Sequence, residues 1–178
     1  MLPIVQVGDP VLRAIARPIA PGDLAGLAEL IREMRDTMRD APGVGLAAPQ
    51  IGQSLALAVI EDAPELHAGL TPEQLAARER AAVPFHVIVN PRLEPVGEER
   101  VVAYEGCLSF KGFVMMVPRY RSVRVEALDE HGTPRVIEAT GWYARILQHE
   151  IDHLNGIVCC DRMDSRTLST TENHGRFG

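Results

Sequence analysis

Residues 147–156 read LQHEIDHLNG and contain the pattern H-E-x-x-H, formed by His149, Glu150 and His153. Histidines at positions i and i+4 of a helix leave it on the same side, one turn apart. Their nitrogens can therefore bind one metal ion at about 2.0–2.1 Å. Because two histidines and a carboxylate are costly to bury without a partner, we interpret this stretch as a metal site.

The helix that carries the two histidines is predicted to follow Thr140 as its N-cap and to end at Gly156. Trp142 and Ile146 share the histidine face and further apolar residues cover another face, so we expect the helix to be buried. Valine-rich segments between residues 85 and 129 predict strands, and residues 122–139 predict a hairpin. The expected fold class is α+β, with short, mostly antiparallel β-sheets packed around a central metal-binding α-helix.

The rest of the chain predicts a helix over residues 23–40 with Asp23 as its N-cap, and a strand over residues 55–60. Residues 61–84 are polar and contain prolines, and Thr71 followed by Pro72 predicts a short helix over residues 72–81. We interpret 61–84 as a surface insertion, and 165–178 as a tail that is flexible or laid on the surface. A length of 178 residues suits one domain over 1–178.

Composition and charge exclude several classes of partner. The formal net charge is -6 and the sequence pI is near 5.5, which argues against nucleic acid and against an anionic membrane surface. The sequence has no apolar run near the roughly 18 residues of a membrane span and no signal peptide pattern, so we expect a cytoplasmic protein. Three cysteines are a small and odd number, which does not suit a disulfide framework.

A catalytic metal needs a third protein ligand and one open position. The downstream pattern H-E-x-x-H-x-x-G-x-x-H fails because its last position is Cys159, and the only later glutamate, Glu172, lies in the polar tail. Cys159 or Cys160 would have to turn back past the end of the helix to reach the ion. Cys107, in the stretch YEGCLS, is the better candidate because the neighbouring glycine permits a close backbone approach.

Three segments resemble, in order, the three motifs of peptide deformylase: GVGLAAPQ (43–50), EGCLS (105–109) and HEIDH (149–153). The resemblance covers essentially the whole chain and is closest to a bacterial member of the longer, mitochondrial-type branch. It implies a metal-dependent hydrolase that removes the N-formyl group from the formyl-methionine of nascent polypeptides and releases formate. The partners it implies are formyl-methionyl nascent peptides near the ribosome exit.

The resemblance also implies a role for individual residues. The implied metal ligands are Cys107, His149 and His153, and Glu150 is the catalytic acid and base. The implied oxyanion donors are the side-chain amide of Gln50 and the backbone N–H of Leu108. The implied peptide-binding residues are Gly43, Val44, Gly45 and Gly106. Asp152 is expected to steady a histidine or a backbone group, and Glu105 to pair with Arg119 or Arg145.

Fe²⁺ is the physiological ion that the resemblance implies, with Zn²⁺, Ni²⁺ or Co²⁺ as ions found after purification. Two positions depart from the family pattern. Val114 stands where many members have an arginine, which predicts a more apolar cleft. Tyr104 stands where many members have proline, and we expect a small backbone effect at most.

Two other functions compete with the deformylase interpretation. A zinc-dependent endopeptidase would share H-E-x-x-H, but the missing downstream ligand argues against it. A non-catalytic metal-binding protein on the same fold is opposed by the presence of Glu150 and Gln50 together with all three ligands.

Overall fold

Two antiparallel β-sheets frame the fold, which a computed structural model describes for residues 1–177. The five-stranded sheet has the order β1-β2-β3-β6-β7, formed by β1 Gly45–Ala47, β2 Leu57–Asp62, β3 Val83–Pro95, β6 Ser122–Leu128 and β7 Pro134–Thr140. The three-stranded sheet has the order β4-β5-β8, formed by β4 Arg100–Gly106, β5 Phe113–Tyr120 and β8 Ser169–Thr170.

The helix α3, Gly141–Leu154, contacts strands of both sheets and confirms the predicted α+β class. The other α-helices are α1 Ala28–Asp40, α2 Pro72–Ala77 and α4 Thr171–Phe177. From Ala144 onward nearly every residue of α3 is buried, because apolar side chains occupy more than one of its faces. Its apolar residues pack with the inner faces of β2, β3, β6 and β7 in the largest core cluster.

Alternation along β5 explains how charged groups reach the interior near α3. Met115, Val117 and Arg119 are buried at every second position, so their side chains share the face turned towards the helix. Glu105 of β4 lies opposite Met115 in the register and is also buried. The three-stranded sheet therefore presents an arginine and a glutamate to the helix that carries the histidines.

The predicted start of α1 is wrong, whereas α3 begins directly after Thr140 as predicted but without the expected side-chain cap. Residues Pro21–Leu27 form a 3-10 helix, and α1 begins only at Ala28, because two glycines in PGDLAGL weaken helix formation. Thr140 precedes α3, but its hydroxyl pairs with Ser122 Oγ at 3.1 Å and does not cap the helix. The backbone N–H of Trp142 instead donates to the carbonyl of Arg78 at 3.0 Å. The predicted end is confirmed, since Gly156 follows α3 with a φ of +71°.

Residues 61–84 combine an exposed excursion with buried anchors at both ends. Thr71 caps α2 as predicted: its hydroxyl accepts from the Gln74 N–H at 3.2 Å, while the Gln74 side chain accepts from the Thr71 N–H at 2.9 Å. The helix ends at Ala77, four residues before the predicted limit, and the chain turns at Glu79, whose φ is +47°.

The tail up to residue 177 contains regular secondary structure that pairs with strand β5. Strand β8 pairs with Phe113 and Val114 of β5, and α4 follows directly. The Thr167 hydroxyl accepts from the Met116 N–H at 2.9 Å, and the Asp164 N–H donates to the Met116 carbonyl at 3.2 Å. Residue 178 lies outside the described part of the chain. Among the helices of residues 1–177, none has the length and apolar character to cross a membrane.

Candidate active site

The fold brings together one cysteine and two histidines that lie far apart in the sequence. Cys107 follows β4, while His149 and His153 project from adjacent turns of α3, and one ligand atom from each lies within 4.8 Å of the others. Cys107 Sγ and His153 Nε2 are 3.3 Å apart. A tetrahedral ion bound by sulfur at about 2.3 Å and nitrogen at about 2.0–2.1 Å separates those atoms by roughly 3.5 Å. These residues therefore fit a divalent metal ion.

The structure favours Cys107 over the two later cysteines. Cys159 is buried in a small apolar cluster with Met115 and Val117, against which Cys107 packs. Neither Cys159 nor Cys160 belongs to the group of three residues whose ligand atoms converge. The turn after Gly156 therefore carries Cys159 towards β5, and only Cys107 reaches the histidines.

Glu105 orients His149 from behind the site, a contact that the sequence did not reveal. Glu105 Oε2 lies 3.0 Å from His149 Nδ1, which leaves Nε2 of that ring to face the cleft. The same carboxylate accepts from Arg119 Nε at 2.9 Å and from Arg145 Nη1 at 2.7 Å, so both pairings expected for Glu105 are present. Burial alone would raise the pKa of Glu105, but its bonds to His149 and Arg119 lower it.

Asp152 supports this arrangement less directly than expected. Its carboxylate bonds to Arg119 and to Arg162, the latter at 2.6 and 2.7 Å, and contacts neither histidine in the described residues. Asp152 therefore reaches His149 only through Arg119 and Glu105. The side chains of Asp152, Glu105, Arg119 and Arg145 together form a buried charge network.

Glu150 is buried beside the ligands without being one of them. Within residues 1–177 its Oε2 has no hydrogen-bond partner. Burial raises the pKa of Glu150 to about 7, and Glu105 adds to this, whereas His149 and Arg119 oppose it. A carboxyl group with a pKa near neutrality can both accept and return a proton at physiological pH.

Gly45 explains how Glu150 fits against β1. A Cβ atom added at Gly45 would lie 2.5 Å from Glu150 Cδ, closer than side chains tolerate. Gly43 is similarly restricted, because an added Cβ would lie 2.8 Å from Leu108 Cδ1. The two glycines therefore allow β1 and the preceding loop to approach the side chains of Glu150 and Leu108.

Gln50 is fixed with its amide nitrogen directed towards Cys107. Its Oε1 accepts from the Ala47 N–H at 2.8 Å, so its Nε2 points the other way. Nε2 donates to Ser109 Oγ at 3.3 Å and lies 3.7 Å from Cys107 Sγ. Ser109, which the sequence did not single out, is buried and holds this amide in place.

A cleft of about 850 Å³ opens onto Cys107, His149 and Glu150. Its wall includes all four predicted peptide-binding residues, namely Gly43, Val44, Gly45 and Gly106. Val114 also lies on the wall, so this part of the wall is apolar, as expected.

Two further side chains near the cleft were not explained by the sequence. Tyr104 packs its ring against His174, with the centroids 4.1 Å apart. Arg80, from the 61–84 segment, also lines the cleft, and no sequence pattern indicated this.

Comparisons with known proteins agree with this site. A family model described as polypeptide deformylase matches residues 1–169. Peptide deformylase 3 of Streptomyces avermitilis is 50% identical over 176 residues, covering 96% of this chain and 75% of that protein. The mitochondrial peptide deformylase of Homo sapiens is 41% identical, covering 93% of this chain and 69% of that protein.

Solved structures give the same result. The peptide deformylase from Thermus thermophilus superimposes with a TM-score of 0.78 at 41% identity, covering 93% of this chain and 88% of that one. A peptide deformylase from Synechococcus elongatus, solved in complex with actinonin, has a TM-score of 0.77 at 37% identity, with coverages of 93% and 80%. The motifs, the converging ligands and these matches together show that the chain belongs to the polypeptide deformylase family.

Proposed function

We propose that this protein removes the formyl group from the N-terminal formyl-methionine of nascent polypeptides and releases formate. The observation that carries the proposal is the position of Glu150. It is buried beside Cys107, His149 and His153, its pKa is raised to about 7, and it faces a cleft large enough for a peptide. This arrangement suits proton transfer during hydrolysis of an amide bond.

Each residue of the site has a distinct part in the proposed reaction. Glu150 accepts a proton from the attacking water and returns it to the leaving amine. The amide of Gln50 and the backbone N–H of Leu108 donate to the oxygen of the formyl group as negative charge develops on it. Bound at Cys107, His149 and His153, a divalent cation supplies Lewis acidity for this hydrolysis.

The peptide is proposed to bind along β1. This strand forms one edge of the five-stranded sheet, and residues 43–45 line the cleft. An extended peptide can add to such an edge through main-chain hydrogen bonds, and Gly106 offers a second approach on the other side. The substrate is then a chain end, because its formyl carbon must reach the ligands at the floor of the cleft.

The family is metal-dependent, and we propose Fe²⁺ as the physiological ion, with Zn²⁺, Ni²⁺ or Co²⁺ as alternative occupants. A donor set of one thiolate and two imidazoles suits all four ions. We also propose that the chain forms one catalytic domain and acts in the cytoplasm on chains that leave the ribosome.

Formate release from a formyl-Met peptide tests the function, with Fe²⁺- or Ni²⁺-loaded protein under reducing conditions. We expect formate from the formylated peptide and no internal cleavage of an unformylated one. Absence of formate above the Glu150→Ala background would contradict the proposal. Internal cleavage of unformylated peptides would instead support an endopeptidase.

Replacing Cys107 by serine is expected to weaken metal binding, because a hydroxyl is a far poorer ligand than a thiolate for these ions. We expect the affinity to fall by more than the roughly 10–100-fold typical of residues that only support the ligands. Metal content after dialysis, measured by atomic absorption, checks this. Cys160→Ser is the matched control, since Cys160 is half-buried and lies outside the converging group. Equal metal content in both variants would remove Cys107 from the ligand set.

Replacing Gly45 by alanine is expected to lower kcat/KM roughly 100-fold, because a displacement of Glu150 by about 1 Å has that scale of effect. The added methyl group would collide with the Glu150 carboxylate. Gly22→Ala is the control, because a Cβ there meets no atom within 4 Å. Formate release and thermal unfolding should be measured for both variants. Activity of Gly45→Ala within threefold of the control would contradict the packing described.

A further inference from the structure

A buried ion pair joins the two ends of the insertion 61–84, at the point where strand β2 ends with Asp62. Arg80 donates to the two carboxylate oxygens of Asp62, Nε to Oδ2 at 2.8 Å and Nη2 to Oδ1 at 2.7 Å. The side chain of Asp62 is 1% exposed and that of Arg80 is 10% exposed. His67 Nε2 lies 3.1 Å from the same carboxylate. Residues near the beginning and the end of the insertion therefore lie together at Asp62.

The far side of this ion pair contacts Trp142, at the start of α3. The guanidinium of Arg80 lies 5.2 Å from the centroid of the Trp142 ring, and that of Arg78 lies 5.6 Å from it. The backbone N–H of Trp142 also donates to the carbonyl of Arg78. Both the backbone and the ring of Trp142 are thus held by the end of the insertion, through a hydrogen bond and through cation–π contacts.

Trp142 in turn forms part of the catalytic cleft. It precedes His149 by seven residues, so it lies on the same side of α3, about 10 Å along the helix axis. Trp142, Ile146 and Arg80 all line the cleft that contains the ligands. Arg145 of α3 also lies 5.9 Å from the centroid of this ring, but Arg80 is nearer and is itself paired with Asp62.

We infer that the 61–84 insertion is a specificity element, in which Arg80 is a positioning residue that holds Trp142 as a wall of the cleft. The wall limits the size of the peptide side chain that binds beside it. Identifying the ligand as a formylated peptide rests on the proposed function. The placement of Trp142 by Arg80 does not depend on the reaction.

Trp142 is the single tryptophan of the chain, so its fluorescence reports on this contact directly. In Arg80→Met, which keeps the length of the side chain but loses the guanidinium, we expect emission to shift to longer wavelength as the ring loses its contact. We also expect kcat/KM for formyl-Met relative to formyl-Ala peptides to change about 2- to 30-fold, the range of one cation–π contact. The change should appear in KM, with kcat within twofold.

Arg92→Met is the matched control, because Arg92 is exposed and pairs with Glu94, its neighbour on β3. It should leave both emission and selectivity unchanged. If Arg80→Met fails to fold, the same two measurements are made on Arg80→Lys. Lysine keeps the positive charge beside Asp62 but lacks the planar group over the Trp142 ring. Unchanged emission and an unchanged peptide ratio in the folded variant would overturn the inference. If the wild type released no formate, the proposed function would fail, while the emission comparison would still test the contact.

Discussion

Replacing Glu150 by glutamine is expected to lower kcat for formyl-peptide hydrolysis by roughly 10²–10⁴-fold, the usual contribution of a general acid and base. Glutamine has nearly the same shape but cannot accept and return a proton. The site should otherwise remain intact, because Glu150 is not one of the three converging ligands. We also expect no loss of stability, since the substitution replaces a buried carboxyl group that lacks a partner for one oxygen within residues 1–177.

Metal content, thermal unfolding and formate release should be measured on the same preparation of Glu150→Gln. Glu126→Gln is a suitable control, because Glu126 is an exposed residue of β6 paired with Arg124. A kcat within tenfold of the control, at equal metal content, would show that Glu150 is not the proton carrier. A variant that loses its metal would instead show that Glu150 holds the site together.

Replacing Glu105 by glutamine is expected to lower the free energy of unfolding by about 3–5 kcal/mol, because it removes one partner of a buried ion pair. Arg119 and Arg145 would both remain in the interior with less negative charge beside them, and His149 would lose the acceptor that orients it. We therefore also expect metal affinity to fall roughly 10–100-fold.

Urea unfolding of the metal-free proteins measures this loss of stability, with the slope of the transition checked for constancy. The control is again Glu126→Gln, because an exposed ion pair contributes little to stability. Because the pKa of Glu105 is lowered in the folded state, its stabilisation is present above the pKa of an unfolded glutamate and is lost as the pH falls. The difference between wild type and variant should therefore narrow in acid. Equal midpoints for the two variants at neutral pH would contradict the role of the charge network.

The parts of the fold that local pattern determines were predictable. The hairpin over residues 122–139 follows from alternation and a turn, and the buried helix follows from apolar residues on more than one face. The predicted start of α1 is wrong because Gly22 and Gly26, on either side of Asp23, weaken the helix more than a cap at Asp23 can stabilise it. Thr140 failed as a cap because its hydroxyl has a partner on a neighbouring strand.

The grouping of Cys107, His149 and His153 was predictable because a metal site needs a third donor, and the sequence offers few candidates. The contacts behind these three residues were not predictable from the sequence. Glu105 and His149 are 44 residues apart, and Gln50 and Ser109 are 59 residues apart, so no local pattern joins either pair. The same applies to Arg80, which lies on the cleft wall although its sequence segment is polar and rich in proline. Such pairings depend on strand register and on how the insertion folds back, which only the tertiary structure provides.

The short strand β8 has a consequence for how the protein behaves at high concentration. Strand β5 lies between β4 and the tail, which occupies its outer edge at residues 113, 114 and 116. An uncovered edge strand next to apolar side chains is a template for pairing with other chains. We therefore expect the tail to protect against aggregation, so that chains shortened before Asp164 form oligomers at concentrations where the intact chain stays dispersed.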